Sequence, residues 1–304
     1  MYDILIRNVR PWGHGKPCDL AIDGGRFIET DKNQRAQKTI DAHGAMAIPS
    51  FVEPHIHLDK ALINRDVRQN RTGTLSEAIE IIWERKRNYT VQDIVSRASE
   101  VIDLAIQNGT TRLRTHADVD TIGGLRPLQG LISARDRYKG LIDIQIVAFP
   151  QEGILKNPGT EQLLERALAL GADAIGGMPF NENSLMDSWR HIEIAFALAR
   201  KFNVPVDMHV DETDDPGART LEMLADQTVA NGWQGRVTAG HTCALAAYPH
   251  NHATTVIQKV KEANITMITL PVTNLVLQGR LDPEPRRRGI TRVKELLQAG
   301  VNVT

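Results

Sequence analysis

Cysteine is nearly absent: 304 residues carry two, Cys18 and Cys243. Two are too few for a disulfide framework, and their separation excludes a Cys-x-x-Cys metal site. An excess of one charge sign is also missing. Lysine plus arginine total 36 and aspartate plus glutamate 37, a net charge of −1. Such a chain exerts no general pull on nucleic acid or an anionic membrane. No apolar run approaches the roughly 18 residues that a transmembrane helix needs. The start, Met1 to Ile6, has no basic segment leading into a long apolar stretch. No signal peptide is read there, and a cytoplasmic location is expected. What is present, 41% apolar and 24% charged residues, is the composition of a globular enzyme rather than a disordered or fibrous chain. The length suits one large α/β domain with a smaller companion.

Residues 1–49 read as a β-rich unit. Ile4-Leu5-Ile6, Asp19 to Ile22 and Phe27-Ile28 are short apolar runs, and Asp23-Gly24-Gly25 is a hairpin turn signal. So short a strand-rich segment cannot bury a core alone. From residue 50 to 304, strands and helices alternate. Strands are expected at Ala47 to His57, Thr111 to His116, Ile142 to Phe149, Ala174 to Met178, Val206 to Val210, Val237 to His241, Ile265 to Leu270 and Val301 to Val303. Thr74-Leu75-Ser76-Glu77 is a capping box that opens a helix, and Val91 to Gln107 continues with helical spacing. Eight strands alternating with helices predict a (β/α)8 barrel. An open doubly wound sheet has the same local pattern, but the first strand runs into Pro54-His55-Ile56-His57 rather than a glycine-rich dinucleotide loop. The final Gly300 to Thr304 reads as the beginning of a buried strand, so the barrel is expected to be cut within its eighth strand.

Histidines fall where such a barrel gathers its chemistry. His55 and His57 are two apart on an extended segment and point to one side. His209 ends the fifth expected strand and His241 the sixth, and C-terminal strand ends converge on one face. A lone His-x-His is a weak motif, and a single histidine at a strand end is more often a hydrogen-bonded core residue. The combination on one face is far more specific for a metal site. His116 also ends a strand and is a near-site candidate. His14, His43, His191, His250 and His252 read as ordinary surface or packing residues. Glu212, three residues after His209, is placed to carry protons between an activated water and a substrate nitrogen. Asp214 or Asp215 is expected to cap the next helix, with Pro216 at its first position. Phe149-Pro150-Gln151-Glu152 and Asn274 to Arg280 read as cavity-facing, and the Gln151 amide offers both a donor and an acceptor. The basic run Arg286-Arg287-Arg288 reads as a solvated loop.

Four stretches carry a family resemblance: Phe51 to Asp59, Ile146 to Ile154, His209 to Asp215, and Leu277 to Arg280 continuing through Arg287 to Glu295. In them the chain resembles the amidohydrolase superfamily, within it the bacterial cytosine deaminase group and its close relatives. The resemblance implies a metal-dependent hydrolase barrel with a small β-sandwich domain begun by residues 1–49. It implies His55, His57 and His209 as ligands of one divalent ion, Fe(II) or Zn(II). It implies Glu212 as the acid/base, His241 as the residue that polarises the water, and Gln151 with Phe149 as the substrate-reading wall. The activity implied is hydrolytic deamination of cytosine or a related aminopyrimidine. Expected partners are a small heterocyclic substrate and further copies of the chain, with neither nucleic acid nor membrane.

Three departures qualify the resemblance. Lys60 stands where a cytosine deaminase carries threonine, and relatives that hydrolyse N-alkylated triazines such as isopropylammelide carry lysine. Met178 to Asn183 does not match the aromatic-acidic loop of cytosine deaminases. The chain stops at Thr304, just before the family's eighth-strand aspartate would appear. Two alternatives follow: hydrolysis of an N-alkyl amine from a triazine, and a truncated, non-catalytic form.

Overall fold

Asp23-Gly24-Gly25 turns the chain as expected. Both glycines have positive φ, at 55° and 73°, the geometry of a tight hairpin. This computed structural model describes residues 1–13, 15–31, 35–280, 282–283 and 289–304. His14 and the run Arg286-Arg287-Arg288 lie outside the described residues. The hairpin joins β2 (Cys18–Asp23) to β3 (Arg26–Ile28). The sheet is completed by β1 (Tyr2–Pro11), β4 (Ala36–Asp41) and β5 (Met46–Ala47), in the order β3-β2-β1-β4 with β5 also on β1. β1 runs antiparallel to β2 but parallel to β4. Among the described residues its buried cluster is Tyr2, Leu5 and Ala21, with Ala36 packed against it.

The chain divides into two compact units, Met1–Phe51 and Val52–Thr304, against an expected division after residue 49. The expected strand Ala47 to His57 is in fact two pieces. Met46–Ala47 pairs with β1, and β6 (Phe51–Ile56) belongs to the second sheet. Pro49 lies between them, with no N–H to continue a ladder.

The second sheet has seven strands in chain order, each beside the next. They are β6, β7 (Thr110–Asp118), β8 (Asp143–Phe149), β9 (Ala174–Gly177), β10 (Val206–Val210), β11 (Val237–His241) and β12 (Thr266–Ile268). The pairings from β7 through β12 are all parallel, as βα repeats require. Val303 bridges Met267 in parallel, so the segment expected as an eighth strand begins pairing with β12. The architecture is a (β/α)8-like barrel, with the sheet buried beneath its helices.

Those helices are α1 (Leu75–Lys86), α2 (Val91–Gln107), α3 (Arg126–Arg137), α4 (Thr160–Ala169), α5 (Leu185–Phe202), α6 (Thr220–Ala230), α7 (His250–Glu262), α8 (Pro271–Leu277) and α9 (Val293–Gln298). Ile94, Ala98 and Ile102 on α2 recur at helical spacing and join Ile146, Ile175, Met208 and Phe196 in one hydrophobic cluster. Burying each of these isoleucine, methionine and phenylalanine side chains contributes about 1.5–3 kcal/mol. Among the described residues no helix is long and apolar enough to cross a membrane.

Caps follow the sequence at one helix and depart from it at another. Thr74 caps α1 by accepting the Glu77 N–H, while the Glu77 carboxylate accepts the Thr72 N–H at 2.6 Å rather than that of Thr74. α6 begins at Thr220, beyond the reach of Asp214 or Asp215 as its cap. Asp215 instead accepts the Gly217 N–H at 2.7 Å. The α6 amides are taken by Asp211, at the end of β10: Thr220 N–H donates at 3.0 Å, Leu221 N–H at 3.0 Å and Thr220 Oγ1 at 2.5 Å. The cap is supplied across the loop because the helix folds back onto its own strand. Asp211→Ala leaves these buried donors without an acceptor and is expected to cost about 2 kcal/mol. The check is the thermal unfolding midpoint, and an unchanged value would contradict this account.

Candidate functional site

The C-terminal strand ends bring five imidazoles together. His55 comes from β6 and His57 follows it, His116 lies on β7, His209 on β10 and His241 on β11. Ring centroids lie 4.4 Å apart for His55 and His116, 4.6 Å for His55 and His209, 5.0 Å for His57 and His209, and 4.8 Å for His209 and His241. His57 Nε2 and His209 Nε2 stand 3.0 Å apart. Ligating atoms of His55, His209 and His241 all fall within 4.8 Å of one another, as do those of His55, His57 and His116. The small Gly240 permits this, since a Cβ there would stand 3.2 Å from His55 Cε1.

Buried polar atoms normally have partners. Here both ring nitrogens of His55, Nδ1 of His57, Nδ1 of His209 and Nε2 of His241 have none. Desolvation drives the His55, His57 and His209 pKa values well below the usual 6.5. The leading charge neighbours, His116, Lys60 and His55 respectively, add to the effect. The three rings are therefore neutral and offer lone pairs. A compact set of neutral imidazoles with unpartnered ring nitrogens fits a divalent transition ion.

Two further networks hold the edges. His116 Nε2 lies 3.3 Å from Asp207 Oδ1, and Arg114 Nη1 donates to Asp207 Oδ2 at 2.8 Å. Burial opposes the Asp207 charge, but His116 and Arg114 outweigh it and hold the carboxyl below its ordinary range. On the far side, Glu212 Oε1 lies 3.0 Å from His241 Nδ1 and accepts from Asn274 Nδ2 at 3.1 Å. Gln278 Nε2 donates to the Glu212 carbonyl at 3.2 Å. Asp211, His241 and Thr242 all have positive φ, an unusual backbone for residues with side chains and one that clusters at functional sites.

The third wall carries Phe149, Gln151 and Lys60. Phe149 stacks on His209 with centroids 4.2 Å apart. Lys60 Nζ donates to Asp118 Oδ1 at 2.7 Å and also to Gln151 Oε1. Beyond Glu212 a cavity of about 810 Å³ opens, lined by Met178, Phe180, Asn181, Thr213, Gln278 and Arg280 among others. The segments Phe149 to Glu152 and Asn274 to Arg280 thus reach the site region. Asp207 and Asp118, the carboxylate beside Lys60, were given no role from spacing. They lie on two different strands, β10 and β7, and nothing local marks them.

Comparison with known proteins gives the family. The amidohydrolase family profile matches residues 38–304. The chain belongs to the amidohydrolase family. It is 30% identical over 276 residues to N-isopropylammelide isopropyl amidohydrolase of Pseudomonas sp. (strain ADP), covering 88% of this chain and 68% of that protein. It is 32% identical to the pterin deaminase of Rhizobium rhizogenes, covering 98% of this chain and 64% of the relative. Among solved structures, 5-methylcytosine deaminase from Klebsiella pneumoniae with 5-fluorocytosine superposes at a TM-score of 0.91 with 39% identity, over 98% of this chain and 73% of that one. The N-isopropylammelide isopropylaminohydrolase of Burkholderia multivorans superposes at 0.82 with 32% identity, over 100% and 74%.

This amidohydrolase also holds a histidine apart from the cluster. His191 on α5 is buried, with Nδ1 2.7 Å from Glu182 Oε1 and Nε2 accepting the Met178 N–H at 3.2 Å. A ring that accepts at Nε2 is neutral and donates from Nδ1. Burial pushes the His191 pKa below 6.5 and outweighs the Glu182 charge. Burial opposes the Glu182 charge too, but the His191 hydrogen bond and the Ile154 and Lys156 amides hold its pKa below 4.5. Both values are depressed by folding, so in acid the unfolded chain binds protons that the folded chain refuses. Stability is fully present above pH 6.5 and falls as pH drops through the His191 range, then the Glu182 range. The unfolding free energy of His191→Asn should fall less steeply than the parent's between about pH 6.5 and 5, where one group contributes up to about 1.4 kcal/mol per unit. Equal slopes in denaturant titrations would count against this assignment.

Proposed function

We propose that the chain acts as a metal-dependent hydrolytic deaminase of cytosine or a closely related aminopyrimidine. One observation carries the reading: neutral imidazoles with unpartnered ring nitrogens converge beside a glutamate that is itself bonded to the histidine of the next strand. His55, His57 and His209 would hold a single Fe(II) or Zn(II), a choice that imidazole ligands leave open. When bound, such an ion makes an acidified water available at neutral pH.

The chain's own groups then do the proton work. His241 Nδ1 faces two oxygens, Glu212 Oε1 at 3.0 Å and Asn274 Oδ1 at 3.3 Å, so it carries the proton. Its Nε2 is left as a buried lone pair. That lone pair can accept a proton from the attacking water and, once protonated, stabilise negative charge on the attacking oxygen. Glu212 offsets the resulting imidazolium. The imidazolium's Nδ1 proton can then pass to Glu212, which hands it to the ring nitrogen; the attacking water's second proton, released as the carbonyl forms, follows the same route to the amino nitrogen, which departs as ammonia. Asn274 and Gln278 hold Glu212 from its side chain and its carbonyl. Phe149 and Gln151 line the wall against which the ring lies.

A second reading is favoured by one contact. Because Lys60 donates to Gln151 Oε1, the Gln151 amide has its NH₂ to offer, and Lys60 adds another donor. Two donors suit an acceptor-rich edge, such as that of a dioxo-triazine bearing an N-alkyl amine. Metal-loaded protein is to be assayed for ammonia from cytosine and 5-methylcytosine, and for isopropylamine from N-isopropylammelide. Ammonia supports the first reading and isopropylamine alone the second; neither product sinks both. His55→Ala, His57→Ala and His209→Ala are expected to lose metal by elemental analysis. Glu212→Gln should keep it and lose about 10²-fold or more in turnover. Full metal content in all three histidine variants would mean the site is misassigned.

A further inference from the structure

Behind the Lys60 wall lies a group of charges that neither reading uses. Lys86, the last residue of α1, has no solvent exposure. Its Nζ lies 2.6 Å from Asp118 Oδ2, 2.7 Å from Asp120 Oδ2 and 2.8 Å from Glu152 Oε1. By spacing alone these three carboxylates could hold a metal ion; the Lys86 ammonium sits among them instead. Removing charges from water costs several kcal/mol per ion unless each is closely paired. Here the pairing is close: burial works against the Lys86 charge, and the three carboxylates outweigh it.

The trio ties separate segments together. Asp118 ends β7, Asp120 lies just past it, and Glu152 follows β8. Asp120 is anchored in turn, its Oδ1 accepting the Ile122 N–H at 2.8 Å and the Gly123 N–H at 2.7 Å. Asp118 is shared between two ammoniums, with Oδ2 toward Lys86 and Oδ1 toward Lys60 at 2.7 Å. Lys60 continues to Gln151, whose chain neighbour is Glu152. One buried ammonium thus holds the carboxylate that supports Lys60 and the residue adjoining Gln151, while remaining out of reach of any ligand.

We propose that Lys86 is a positioning residue that sets affinity for the heterocycle: by clamping Asp118 and Glu152 it determines where the Lys60 ammonium and the Gln151 amide stand. The inference rests on the reading that those two groups face the substrate. It separates binding from chemistry, because the histidines and Glu212 make no contact with this clamp among the described ion pairs and hydrogen bonds.

The test uses Lys86→Met and, in case that variant fails to fold, Asp120→Asn. The asparagine keeps an acceptor for the Ile122 and Gly123 amides and turns an NH₂ toward Lys86, displacing it. Lys60→Met and Gln151→Ala are measured alongside, with 5-methylcytosine and N-isopropylammelide as probes. The expected result is a KM raised about 10-fold or more with kcat changed less than about 3-fold, the signature of lost binding rather than lost chemistry. Metal content should match the parent. An unchanged KM in Asp120→Asn, while Lys60→Met raises it, overturns the proposal. So does metal lost in step with activity. If Lys60→Met and Gln151→Ala also leave KM unchanged, the substrate-facing reading of the wall fails, and this proposal with it. Crystal structures of the parent and Asp120→Asn need no turnover: Lys60 should leave Asp118 or Gln151 in the variant, and an unmoved Lys60 overturns the idea.

Discussion

Desolvation governs the strand ends. His55, His57 and His209 share a volume in which a proton would lose hydration that the interior cannot replace, and each ring repels charge on its neighbours. They therefore stay neutral and present lone pairs, and their unpartnered nitrogens are tolerable only where something else satisfies them. The surrounding structure serves that condition. Parallel register sets His209 beside Gly240 and Val210 beside His241. Gly240 leaves room for the His55 ring, and Phe149 closes a face of His209.

Three buried carboxylate groups at the margins of this centre are held by named partners. Asp207 is held between Arg114 and His116. Glu212 is held by His241 and Asn274. Asp118, Asp120 and Glu152 are held by Lys86. Each margin meets a different demand. The Asp207 side orients an imidazole, the Glu212 side is proposed to move protons, and the Lys86 side is proposed to place donors toward a ligand. Asp59 adjoins the last of these, its Oδ2 accepting the Asp118 N–H at 3.0 Å, and burial, then the Asp118 charge, lifts its pKa to about 6. Buried pairs of this kind contribute more to placing groups than to net stability, because desolvation offsets much of their attraction.

Local signals were legible wherever a few neighbouring residues decide the outcome. The Asp23-Gly24-Gly25 hairpin, the Thr74 cap, the α2 helix and the strands Val206–Val210 and Val237–His241 follow from backbone preference and apolar spacing. So does the presence of histidines at several strand ends. Signals failed where a distant partner decides. β4 pairs in parallel with β1, which no turn announces. The α6 cap comes from Asp211 rather than the adjacent Asp215, because the strand end and not the loop lies beneath the helix amides. His191 had read as ordinary packing, and only the fold shows that it is locked between Glu182 and the Met178 amide.

The sequence by itself determined the βα alternation, the family and the kind of chemistry, since periodicity and residue type are properties of neighbours along the chain. Tertiary structure decided which groups meet. It turned Gln151 from a free amide into a partner of Lys60, joined Glu212 to Asn274 62 residues away, and seated Lys86 among carboxylates 34 and 66 residues distant. The physical reason is that hydrogen bonds and charge pairing act over a few ångströms of space, and closing the barrel is what brings such separated residues within that range.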